Sequence, residues 1–124
     1  MADHKRTVLV CDSDEKVLAS IKSGLAEHGF DVQVLTRPDE LVESAERNRV
    51  GAVIVNPELP GFNAQDTCKY LKTQQGIPVL LMVDRNATTR ISLDSCTADG
   101  IFTKPPKIGD LANMVERQIV LSNS

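Results

Sequence analysis

Apolar residues along this chain fall into two alternating patterns. Thr7–Cys11 (Thr-Val-Leu-Val-Cys), Ala52–Val55 (Ala-Val-Ile-Val) and Pro78–Val83 are short and almost continuously apolar. Runs of that length and continuity predict strands covered on both faces. Asp31–Leu35 and Gly100–Thr103 predict two more, the last broken sharply by Lys104-Pro105-Pro106. Between them the spacing turns helical. Val17, Leu18, Ile21 and Leu25 mark a helix from about Glu15 to His28, ended by Gly29. Pro38, Asp39 and Glu40 suit a helix start, with Leu41, Val42 and Ala45 as its buried face. Asn63, with Asp66 three residues on, caps a helix running to about Gln75 whose inward residues are Cys68 and Leu71. Ala87–Cys96 is the weakest helix, since Thr88, Thr89, Ser92 and Ser95 are indifferent helix formers. Asp110 to about Leu121 is the last, facing inward with Leu111, Met114, Val115 and Ile119.

Five strands alternating with five helices imply an α/β fold, a doubly wound parallel sheet with helices on both faces. Right-handed crossovers leave few topologies, and the order 2-1-3-4-5 is expected at this length. Its switch point lies between the first and third strands. That topology sets Asp12, Ser13 and Asn56 side by side in the crevice, with Lys104 at the end of the fifth strand close by.

Composition narrows the function classes. The 124 residues predict one domain over residues 6–121 with short flexible ends, large enough to bury roughly two-thirds of its unfolded surface. A net charge of −3, evenly spread, gives no footprint for nucleic acid. The one basic cluster, His4-Lys5-Arg6, reads as a solvated lead-in to the first strand. No apolar run approaches the ~20 residues that span a bilayer, and no secretory signal core is present, so a cytoplasmic protein is expected. Cys11, Cys68 and Cys96 show neither zinc spacing nor a disulfide frame, and Cys11 reads as a small core residue.

Several segments then fall into a known order: Val8-Leu9-Val10-Cys11-Asp12, His28-Gly29-Phe30, Leu59-Pro60, Ile77-Pro78-Val79, and Ala98-Asp99-Gly100 running into Lys104-Pro105. Each is weak alone, and together they are specific. From about Arg6 to Leu121 the chain resembles a response-regulator receiver domain of two-component signalling, with its flavodoxin-like (βα)5 fold. The resemblance implies an acidic pair after the first strand, an acceptor aspartate after the third, a Ser or Thr after the fourth and a lysine after the fifth. Asp12 and Lys104 match. The second acidic position is Ser13, and the acceptor position is Asn56. The hydroxyl position falls on Val83, or on Asp84 if the strand slips by one. The aromatic switch position falls on Ile101, with Phe102 pointing the other way, and a cis Lys104–Pro105 bond is implied as in the domains it resembles.

These substitutions bear directly on the chemistry. The carboxamide nitrogen of Asn56 is delocalised and a poor nucleophile, so aspartyl phosphorylation is not expected there. Magnesium normally uses one or two protein carboxylates, and Asp12 against Lys104 sums to zero charge. Ser13, the Asn56 oxygen and the Glu58 carbonyl would ligate the ion weakly at best, so no cofactor is expected. Val83 has no hydroxyl to donate, and Ile101 cannot alternate between two environments as an aromatic with a polar tip does. A buried lysine needs a partner, which is expected to be Asp12 or the Asn56 amide oxygen.

The expected function is therefore a pseudo-receiver. It acts through a signalling partner, a linked output domain or a homodimer, and it is not an enzyme. The implied docking face is the fourth helix, fifth strand and fifth helix, with candidate residues Arg90, Ile91, Leu93, Ile101, Phe102 and Lys107. One alternative is a working phosphorelay receiver that uses Asp12, Asp14 or a nearby hydroxyl as acceptor, or one in which Asn56 replaces a working aspartate. Another is a flavodoxin-like small-molecule binder, for which Asp12-Ser13-Asp14-Glu15 is a poor phosphate loop. The missing output domain also makes a piece of a longer protein plausible.

Overall fold

Two apolar cores lie on opposite faces of one sheet, and the strands feed them with alternate residues. The computed structural model describes residues 6–84 and 98–122. Five parallel strands, β1 (Thr7–Cys11), β2 (Asp31–Leu35), β3 (Ala52–Val55), β4 (Val79–Val83) and β5 (Gly100–Thr103), stand in the order β2-β1-β3-β4-β5. On one face Val8, Val10, Ile54, Leu80 and Met82 pack against α1 (Glu15–Glu27) and α4 (Ile108–Ser122). On the other Leu9, Val53, Val55, Val79 and Leu81 pack against α2 (Leu41–Arg47) and α3 (Ala64–Tyr70). The apolar runs of β1, β3 and β4 are continuous because both faces are covered. The predicted sheet order and the predicted inward positions of all four described helices are present, with Val17, Val42 and Met114 half-buried at the rims.

The element ends show how the caps work. Asp14 caps α1, its Oδ1 accepting from the Val17 N–H at 3.2 Å, and Asn63 caps α3 by accepting from the Asp66 N–H at 3.0 Å. The helix expected to begin at Pro38 opens with a 3-10 turn, Pro38–Glu40, before α2. The helix expected to continue to Gln75 widens instead into a π segment, Leu71–Gln75. Gly76, left-handed at φ 67°, and Ile77 both direct their N–H groups to the Leu71 carbonyl, which closes that wider turn. The predicted helix 87–96, with Arg90, Ile91, Leu93 and Cys96, lies outside the described residues, as do His4 and Lys5.

Arg6 corrects the reading of a solvated lead-in. Its guanidinium stacks 4.2 Å from the Phe30 ring centroid and donates to the Gly29 carbonyl at 3.0 Å and the His28 carbonyl at 3.1 Å. It also pairs with Glu116 on α4 at 2.8 Å. An arginine fork at the end of α1 satisfies carbonyls that the helix leaves open, a role that charge patterning alone does not reveal.

Helices α1 and α4 meet closely at Gly24. A methyl group there would lie 2.7 Å from both Cγ1 and Cγ2 of Ile108. Those atoms branch from Cβ and cannot swing away as a flexible tip would. Gly24→Ala is therefore expected to destabilise by about 1–2 kcal/mol despite its better helix propensity. Urea unfolding measures this, and a gain in stability would show that α4 shifts freely.

Candidate functional site

The β1–β3 switch point gathers the chain's unusual polar residues. Among the described residues, Asp12, Asn56 and Lys104 are the buried polar or charged side chains, at 0%, 5% and 8% exposure. Each lies just past a strand: Asp12 after β1, Asn56 after β3 and Lys104 after β5. The Asn56 N–H continues the ladder by donating to the Cys11 carbonyl at 3.0 Å, and Pro57 opens the following loop. A cis peptide bond joins Lys104 to Pro105, as the resemblance implied.

The carboxamide of Asn56 is used at both ends. Its Nδ2 donates to Asp12 Oδ1 at 3.1 Å, and its Oδ1 accepts from the Glu58 N–H at 2.9 Å. Asp12 Oδ1 also accepts from the Ser13 N–H at 2.7 Å, while Asp12 Oδ2 accepts from Lys104 Nζ at 2.8 Å. Of the two partners expected for Lys104, Asp12 holds it and the Asn56 oxygen does not. Ser13 meets Asp12 through its backbone, with the residue itself exposed.

The charge sum needs correction. Asp84 Oδ1 lies 2.9 Å from Lys104 Nζ and Asp14 Oδ2 lies 3.8 Å away, so three carboxylates face one ammonium. That leaves a formal −2 rather than zero. Sheet order explains Asp84: β4 neighbours β5, Val83 pairs with Thr103, and the Lys104 N–H donates to the Val83 carbonyl at 2.8 Å. Residues 84 and 104 therefore leave the sheet together, a juxtaposition readable once the strand order was known. Asp14 arrives as the cap of α1. Both are about half-exposed, unlike Asp12. Burial lowers the Lys104 pKa, but the hydrogen bonds and charges of Asp12 and Asp84 outweigh it and raise the net value above 10.5.

Among the described residues, the expected switch positions Val83 and Ile101 carry aliphatic side chains. Val83 is half-buried and contributes a backbone carbonyl to the site. Ile101 is 36% exposed, and Phe102 packs against the α1/α4 core on the other side of β5. Lys107 is exposed ahead of α4. Cys11, beneath Asp12, is fully buried, and burial followed by the charges of Asp12, Asp39 and Glu40 pushes its thiol up to about 12. Such a thiol stays protonated and is no nucleophile at neutral pH. At the opposite end of the sheet Asp99 accepts from the Val79 N–H at 2.8 Å and pairs with Lys72, which fixes the start of β5 against β4.

Comparison with known proteins agrees with this architecture. The chain is 25% identical over 116 residues to the DNA-binding response regulator MtrA of Mycobacterium tuberculosis, covering 93% of this chain and 51% of that protein. It is 29% identical over 111 residues to the transcriptional regulatory protein PrrA of the same organism, covering 88% and 48%. The chain thus spans about half the length of these curated relatives. The crystal structure of a two-component response regulator from Clostridium difficile superposes with a TM-score of 0.79 at 21% identity, covering 95% of this chain and 98% of that one. That likeness establishes the fold. Residues 8–116 match the response regulator receiver domain family from the first strand into the last helix, and the chain belongs to that family.

Proposed function

We propose that this chain is a pseudo-receiver, a signalling module that works through protein contacts without aspartyl phosphorylation. The observation that carries the reading is the double engagement of Asn56, bonded to Asp12 at one end and to the Glu58 N–H at the other. No carboxylate nucleophile stands at that position. Magnesium binding is expected to be absent or weak for a related reason. Asp12 Oδ1 already accepts two hydrogen bonds and Asp12 Oδ2 faces the Lys104 ammonium, so a divalent ion would share its main ligand with a cation. Val83 and Ile101 further support a site without the moving parts of a phosphoryl switch.

The partner is a signalling protein or a linked output domain, a reading supported by relatives about twice as long that are named as DNA-binding and transcriptional regulators. Family resemblance puts the docking or dimerising face at β5 and α4, where Ile101, Val120 and Leu121 are exposed apolar residues. No helix among the described residues is long and apolar enough to cross a membrane.

A second reading is a phosphorelay receiver with another acceptor. It is favoured by Asp14, a half-exposed carboxylate 3.8 Å from Lys104. Incubation with acetyl phosphate and magnesium separates the two. The intact mass and the amide shifts of Asp12 and Asn56 are expected to stay unchanged. A stoichiometric phosphoryl adduct would overturn the proposal, and its mapping to Asp14 would establish the second reading.

A further inference from the structure

Lys104 is held from two sides by carboxylates of very different character. Asp12 is fully buried, fixed at the end of β1 and bonded by two other donors. Asp84 is half in water and leaves β4 at the height where Lys104 leaves β5. Asp14, farther away at 3.8 Å, is occupied as the cap of α1. Of the three, Asp84 is the half-exposed carboxylate in direct contact with the ammonium. Its neighbour Val83 offers no hydroxyl, so the end of β4 reaches the pocket through this charge.

We propose that Asp84 is a built-in counter-ion that occupies the open side of Lys104 and locks the ends of β4 and β5 in one arrangement. The proposal rests on the reading that the pocket is not phosphorylated, and it states how such a pocket is kept in a single state. An incoming anionic group would meet an ammonium whose open side is already filled. The ladder beyond the last strand pair continues through the Lys104 N–H to the Val83 carbonyl at 2.8 Å. The Val83 carbonyl, at the end of β4, and the Asp84 carboxylate, just past it, thus both hold Lys104. The module then presents its β5 surface constantly, with no external signal needed to set it.

Native-state hydrogen exchange on the wild type, Asp84→Asn and Asp14→Asn tests the lock, because it reads local opening residue by residue. In Asp84→Asn the Lys104 amide is expected to exchange about tenfold faster. The Asp12 and Asn56 amides, bonded to Leu35 and Cys11 at the same end of the sheet, are expected to change less than about threefold. Asp14→Asn is expected to leave Lys104 within about threefold of wild type. An unchanged Lys104 rate, or an equal rise at all three amides, would overturn the proposal. Asp84 is exposed at a strand end, so the variant is expected to fold, and unfolding curves confirm it. Failure of the phosphorylation-free reading would appear instead as a mass gain in the wild type, independent of these rates.

Discussion

Replacing Lys104 with methionine is expected to lower stability at pH 7 by about 3–5 kcal/mol. Methionine fills similar volume, so the loss is electrostatic. It strands Asp12, at 0% exposure, with only the Ser13 N–H and the Asn56 amide for partners. The pH dependence has a definite sign. The folded Lys104 pKa lies above 10.5, so its contribution is complete below that value and is lost as pH climbs through the folded pKa. The gap between wild type and Lys104→Met is therefore expected to hold from pH 7 to the ordinary lysine value and to close in stronger alkali. Urea unfolding across that range checks it. Combining Lys104→Met with Asp12→Asn is expected to recover more than half of the loss, because no uncompensated charge stays buried. A single-variant loss within experimental error would mean that water reaches Asp12 freely.

The second large effect is expected from Asn56→Asp, about 2–4 kcal/mol of destabilisation at pH 7. The change removes the donor to Asp12 Oδ1 and sets an anionic oxygen where Nδ2 now lies, at 3.1 Å. The Glu58 N–H still has its acceptor, so half of the local geometry survives. The introduced carboxyl is expected to titrate above its unfolded value, since a neighbouring carboxylate disfavours its charged form. An acid shifted upward loses stability as pH rises from its unfolded to its folded pKa. The deficit is accordingly expected to be smaller at pH 5 than at pH 7, as measured by urea midpoints. A variant as stable as the wild type at pH 7 would show that this pocket tolerates a second carboxylate. The carboxamide would then be incidental to its construction.

Much of the fold was readable because burial on both sides of a sheet leaves continuous apolar runs. Thr7–Cys11, Ala52–Val55 and Pro78–Val83 signal their own place, and Asn63 with Asp66 signals a helix start. The π widening over Leu71–Gln75 was not readable, since it depends on which carbonyl the left-handed Gly76 amide finds. The assembly of Asp12, Asn56 and Lys104 followed from topology and was legible. The partners of Lys104 were only half so. Asp84 faces Lys104 only because β4 and β5 end level, a register that no residue at the end of β4 announces. The role of Arg6 is hidden for a different reason. Its partners are backbone carbonyls of His28 and Gly29, and carbonyls leave no mark in a sequence.

The residue that follows Asn56 has a chemical consequence of its own. Asparagine ages to aspartate when the next backbone nitrogen attacks the side-chain carbonyl, forms a five-membered imide and expels ammonia. Pro57 has no hydrogen on that nitrogen, so this ring cannot close. Spontaneous deamidation, the usual way such a side chain acquires a charge with time, is shut at this position, and old molecules keep the same uncharged group as new ones.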